Sequence, residues 1–184
     1  MPGGLQAPAG GGLGIGLLDP VTGALRATVS RPELERLVRR GCRDHPLHPD
    51  CGCGVLDRPP PVDRYEPTPA QRRFIAARDR TCRHPGCRRP AAWTDADHVC
   101  PRAAGGATAC ENLCCLCRRH HRLKTHAPHW QFVMTDDGVL SVTTPSGVTR
   151  TTRPPGLRLP ADLLLTGGPA AGNLPDPDDD PPPF

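Results

Sequence analysis

Apolar residues come in short bursts along this chain, separated by Gly, Pro and charged positions. Residues 1–16 are Gly-rich and expected to be flexible. Ser30-Arg31-Pro32-Glu33 predicts a helix start, because Ser caps, Pro fits the first turn and Glu three residues on completes a capping box. Leu34, Leu37 and Val38 follow at helical spacing, and Gly41 is placed to end the helix. Thr68-Pro69-Ala70-Gln71 repeats the capping pattern and predicts a second helix to about Asp79, with Phe74, Ile75 and Ala77 available for burial.

After residue 129 the period changes from helical to alternating. Trp130–Met134, Val139–Thr144 and Val148–Thr152 read as strands, with turns at Asp136-Asp137-Gly138 and Pro145-Ser146-Gly147, which makes a three-stranded meander. Pro59-Pro60-Pro61 marks a boundary. The chain is therefore divided into 1–60, with one short helix; a core, 61–128; the meander extension, 129–153; and a Pro- and Asp-rich tail, 154–184, expected to be disordered.

Composition limits how such a chain can hold together. Only 36% of the 184 residues are hydrophobic and 3% aromatic, while Pro (25) and Gly (20) supply about a quarter. A small, thin core of this kind commonly needs a metal or disulfides. Met1–Leu18 has no basic residue and does not read as a secretory signal, and no apolar run reaches the ~20 residues of a membrane span. A cytoplasmic, membrane-free protein is expected, and in that compartment Cys clusters favour metal over disulfides. The net charge is +4, but between Arg64 and Pro128 thirteen Arg or Lys face five Asp or Glu. That basic segment suits a polyanion, or an ordinary solvated surface.

Among the ten cysteines, Cys82-Arg-His-Pro-Gly-Cys87 places two thiols around a Pro-Gly turn, and Cys117-Arg-Arg-His120 offers a second pair. Two close pairs separated by a loop is the layout of a tetrahedral Zn²⁺ site. The alternatives are free thiols or a disulfide scaffold. Leu113-Cys114-Cys115-Leu116 reads as a strand in which Cys acts as a small apolar residue. Cys100 and Cys110 flank Gly105-Gly106 and are free to pair or not; Cys42, His45, Cys51 and Cys53 form a second metal site or a plain loop.

The zinc pairs bracket Asp97, His98 and Asn112, and His121 follows directly. Here D-H-V-C-P…G-G…N-L-C-C-L-C-R-R-H-H-R-L-K resembles the HNH endonuclease motif. The wider stretch R-Y-E-P-T-P-A-Q-R-R-F…R-D-R-T-C-R-H-P-G-C resembles actinobacterial HNH proteins with a larger upstream domain of unknown function. The likeness covers about 60–156 and is most specific over 82–124; residues 17–60 resemble the end of that upstream domain.

The resemblance implies an α+β fold: a small ββα-metal core with a zinc knuckle, followed by the antiparallel meander, with flexible termini. A first strand would end near His98, a loop through Gly105-Gly106 would lead to Asn112, the second strand would be Leu113–Leu116 and a helix would run from Arg118 to Thr125. The function implied is metal-dependent hydrolysis of DNA. His98 is then the general base. Asp97 and His121 hold Mg²⁺ or another divalent cation acting as Lewis acid. Asn112 orients His98 by a hydrogen bond, and Arg118, Arg119, Arg122 and Lys124 grip phosphates. His120 and His121 point about 100° apart on a helix; Cys-x-x-His spacing gives His120 to zinc and leaves His121 for catalysis, and the reverse is the less economical alternative. Asp97 and His98, as strand neighbours, face opposite sides, so the strand must end or bulge there. The rival reading is a zinc-knuckle module that binds nucleic acid without cutting it. No small-molecule cofactor is expected.

Overall fold

The computed structural model describes residues 14–40 and 56–158, in an α+β arrangement of three helices and three small antiparallel sheets. The Cys42, His45, Cys51 and Cys53 cluster and residues 159–184 of the tail lie outside the described residues.

Both expected capping boxes form. Ser30 N–H and Oγ donate to Glu33 Oε2 at 2.8 and 2.7 Å, opening α1 (Arg31–Arg40). Thr68 Oγ1 accepts from Gln71 N at 3.1 Å while Thr68 N donates to Gln71 Oε1 at 2.9 Å, opening α2 (Pro69–Asp79). Phe74 and Ile75 are buried as expected, but Ala77 faces solvent.

Two strands were not foreseen. β1 (Gly14–Leu18) and β2 (Leu25–Ser30) form an antiparallel hairpin, so Gly14 to Gly16 are strand rather than part of a flexible leader. The glycines hide the alternation: only Ile15 and Leu17 carry its half-buried face. The connecting turn is built by Asp19, whose Oδ1 accepts from Val21 N, Thr22 N and Thr22 Oγ1. Gly23 has φ +70°, and a Cβ there would lie 2.3 Å from the Gly156 carbonyl. The tail therefore begins later than expected: Pro154 and Leu157 are buried, and Arg158 N donates to Thr22 O at 2.7 Å.

The centre of the molecule is β3 (Asp95–His98) paired with β4 (Leu113–Leu116), followed by α3 (Arg118–His126). All four β4 side chains are buried, and alternation sends them to two cores. Leu113 and Cys115 pack with Phe74, Ile75 and Cys110, against α2 and Leu25 of the hairpin. Cys114 and Leu116 pack with Cys82, Val99, Leu140 and Val142, against the meander. The meander comprises β5 (Gln131–Met134), β6 (Leu140–Thr143) and β7 (Thr149–Thr152), in the expected order, with Phe132 opposite Val142 and Val142 opposite Arg150.

A buried ion cluster joins these layers. Asp79 is 1% exposed; its Oδ1 accepts from Arg78 Nε at 2.7 Å, and its Oδ2 accepts from Cys115 N at 2.8 Å. Arg78 also donates to the Cys110 and Leu113 carbonyls at 2.7 and 2.6 Å, and Arg83 reaches Gly138 O and Thr152 O at 3.0 and 2.7 Å. Low dielectric strengthens these contacts and makes each partner costly to lose.

Candidate functional site

Two clusters flank the start of α3. In the first, the Pro85-Gly86 turn brings Cys87 back beside Cys82, and Cys117 precedes α3 with His120 one turn in. One ligand atom from each of Cys82, Cys87, Cys117 and His120 lies within 4.8 Å of all the others, a set that could hold a metal ion such as zinc. His120 Nδ1 stands 3.4 Å from Cys82 Sγ and 3.3 Å from Cys117 Sγ. His84, which had no assigned role, stacks on His120 with centroids 3.8 Å apart and planes 6° apart. Burial lowers His120 to about 4, helped by His84 and Arg119, so its ring is neutral and able to donate a lone pair at neutral pH. Burial also pushes the Cys82 thiol up to about 12. All seven described cysteines are free thiols, Cys100 and Cys110 included; Cys110, Cys114 and Cys115 are buried apolar filling.

The second cluster lines a cleft of about 470 Å³ that Asp95, Asp97, His98, His121, Arg118, Tyr65 and Arg72 help to wall. The β3–β4 register runs without a bulge through Asp97 and His98. Their side chains reach one cleft for another reason. Among the described residues the β3–β4 sheet has only these two strands, so β3 has no further strand partner there, and the cleft is lined from both of its faces. The strand does end at His98, as anticipated.

Asp95 and Asp97, two residues apart, share the face toward α3. Asp95 Oδ2 lies 2.8 Å from His121 Nδ1, and Asp97 Oδ1 lies 3.4 Å from His121 Nε2. A carboxylate only accepts, so Nδ1 carries the proton shared with Asp95, and Nε2 is the ring nitrogen turned toward Asp97. Asp97 Oδ2 is buried with no directed donor: Lys124 Nζ approaches it to 3.1 Å, while the hydrogen bond of Nζ goes to the His98 carbonyl at 2.6 Å. Asp97 and His121 thus stand side by side at the cleft, with Asp95 on the other ring nitrogen of His121. Asp95 is the residue that motif reasoning passed over, although strand alternation from Asp97 points to it.

Two expected roles change. Asn112 does not bond His98. Its Oδ1 accepts from Cys100 N at 2.8 Å, and its Nδ2 donates to Cys100 O and Ala107 O, both at 2.9 Å, closing the 100–107 loop. The fit leaves no room at Gly106, where a Cβ would lie 1.9 Å from Cys100 O. The partner of His98 is Thr108, with Nε2 and Oγ1 2.9 Å apart. Lys124 also leaves the expected phosphate-gripping set: its side chain is 9% exposed and committed to Asp97 and His98. Arg118, Arg119 and Arg122 remain on the exposed side of α3, with Arg118 3.7 Å from Asp95 Oδ2. His98 is lowered below the ordinary imidazole value by burial, then by Lys124 and Arg102, against the pull of Asp97.

No family model matches the sequence, and no solved structure matches it. The uncharacterized proteins Rv3776 and Rv2100 of Mycobacterium tuberculosis (strain ATCC 25618 / H37Rv) are each 40% identical to it over 127 residues. The match covers 68% of this chain but 23% and 22% of those proteins, so the chain spans less than a quarter of the length of the curated relatives it matches. No helix among the described residues is long and apolar enough to cross a membrane.

Proposed function

We propose that this protein is a metal-dependent endonuclease of the HNH type that hydrolyses DNA phosphodiester bonds. The supporting observation is that Asp97, His98 and His121 open on one cleft, with Asp97 Oδ1 and His121 Nε2 3.4 Å apart. Asp97 and His121 hold Mg²⁺ or another divalent cation, which when bound polarises the scissile phosphate and stabilises the leaving oxygen. His98, neutral and cleft-facing, takes the proton of the attacking water. Asn112 keeps the intervening loop closed so that β3 and β4 stay in register behind the site. Arg118, Arg119 and Arg122 meet flanking phosphates. Cys82, Cys87, Cys117 and His120 carry a structural Zn²⁺, and a reduced thiolate site of this kind belongs in the cytoplasm.

The test is nicking of supercoiled plasmid with Mg²⁺, Mn²⁺ or Zn²⁺, comparing the protein with His98→Ala and Asp97→Ala. Metal-dependent nicking lost in both variants is expected. DNA binding without nicking under any metal would replace this reading with a non-catalytic zinc-knuckle module.

A further inference from the structure

Thr108 is fully buried, and its hydroxyl stands between three groups. Oγ1 is 2.5 Å from the Arg64 carbonyl, 3.4 Å from the Tyr65 carbonyl and 2.9 Å from His98 Nε2. Carbonyl oxygens only accept, and a hydroxyl has one proton. A 2.5 Å approach of two oxygens requires that proton between them, so Thr108 donates to Arg64 and has only lone pairs left for His98. The backbone of Thr108 is fixed as well: Val62 N and Gln71 Nε2 donate to its carbonyl at 3.0 and 2.9 Å. The hydroxyl therefore has one orientation and one direction of donation.

We infer that Thr108 is a positioning residue that holds His98 in the Nε2–H tautomer and so leaves Nδ1 as the basic atom facing the cleft. The inference rests on the nuclease reading only for its catalytic consequence. Nδ1 has no hydrogen-bond partner among the described residues and is not enclosed, whereas Nε2 is spoken for. The opposite tautomer would set a lone pair of Nε2 against a lone pair of Oγ1 and would block Nδ1 with a proton. Thr108 thus does for His98 what Asn112 was expected to do, from the far end of the loop.

The experiment compares the full 184-residue protein with Thr108→Ser and Thr108→Val. The first readout is ¹⁵N NMR of the His98 side chain at mildly alkaline pH, where imidazole is neutral. The Nε2–H form should dominate in the parent and in Thr108→Ser, and give way to a mixture in Thr108→Val. The second readout is plasmid nicking, where Thr108→Val should lower kcat about 10–100-fold with KM unchanged, and Thr108→Ser should restore it. A Thr108→Val protein that keeps the Nε2–H form overturns the proposal, as does one that fails equally in both variants. If the parent itself does not nick, the nuclease reading falls while the NMR comparison still decides the role of Thr108.

Discussion

Asp95 and His121 are joined by a 2.8 Å contact between Oδ2 and Nδ1, and that contact decides which ring nitrogen faces Asp97. Asp95→Ala should therefore weaken Mn²⁺ binding about 10–100-fold, the usual effect of losing the partner behind a ligating imidazole. Asp95→Asn, whose amide oxygen can still accept from Nδ1–H, should lose less. Calorimetric titration of Mn²⁺ into the zinc-loaded protein reads this directly; an unchanged affinity in Asp95→Ala would break the link between the two residues.

Removal of the structural metal should unfold the core. Cys82 and Cys117 belong to the same buried cluster as Leu116 and Leu140, so a metal held there would join the knuckle to β4 and the meander at once. A site of this type supplies about 10–16 kcal/mol of apparent binding energy at neutral pH. A strong chelator should release one equivalent of zinc together with loss of the folded circular-dichroism signal, and Cys82→Ser should reproduce it. The pH sign follows from the ligands. Burial holds the Cys82 thiol up to about 12, so binding must expel its proton, and zinc affinity should fall as pH falls. Retention of the folded signal after stoichiometric zinc release would refute the claim.

Much of this was readable before any coordinates. The capping boxes at Ser30 and Thr68, the strand Leu113–Leu116 and the meander all follow from local rules that need no tertiary partner. The knuckle was readable because a metal site writes its geometry into residue spacing. Thr108 was not readable: a threonine in a Gly- and Ala-rich loop has no spacing signature, and its role exists only once residues 64–65 fold over it. Asn112 was misread for the converse reason. Its position fits the motif, but its amide is consumed by the loop it closes. Lys124 looked like surface charge because sequence does not say which basic residue of α3 turns inward.

The Arg78–Asp79 pair makes a stability prediction. Asp79→Ala leaves the buried Arg78 guanidinium without its counter-charge and the Cys115 N–H without an acceptor, although Arg78 keeps its two carbonyl partners. Breaking a buried pair from one side costs about 3–5 kcal/mol. Urea unfolding of the zinc-loaded protein should show a loss of that order. A loss under about 1 kcal/mol, the scale of an exposed pair, would mean that the cluster is far more hydrated than its burial implies.

The four basic residues of α3 should separate into two kinds when DNA binding is followed against salt. Arg118 is 82% exposed on its side chain and only loosely paired with Asp95 at 3.7 Å, and Arg119 and Arg122 are exposed too, so each can neutralise a phosphate and release a counterion. Each Arg→Ala change should lower the slope of log K against log salt by about 0.9. Lys124 differs because its charge is already balanced internally, 3.1 Å from Asp97 Oδ2. Lys124→Ala should leave that slope unchanged and instead abolish nicking, since it removes the donor that holds the His98 carbonyl and leaves the Asp97 carboxylate uncompensated. Fluorescence-anisotropy titrations of a labelled duplex at several salt concentrations decide it: a slope reduced as much by Lys124→Ala as by Arg119→Ala would put Lys124 back among the phosphate contacts.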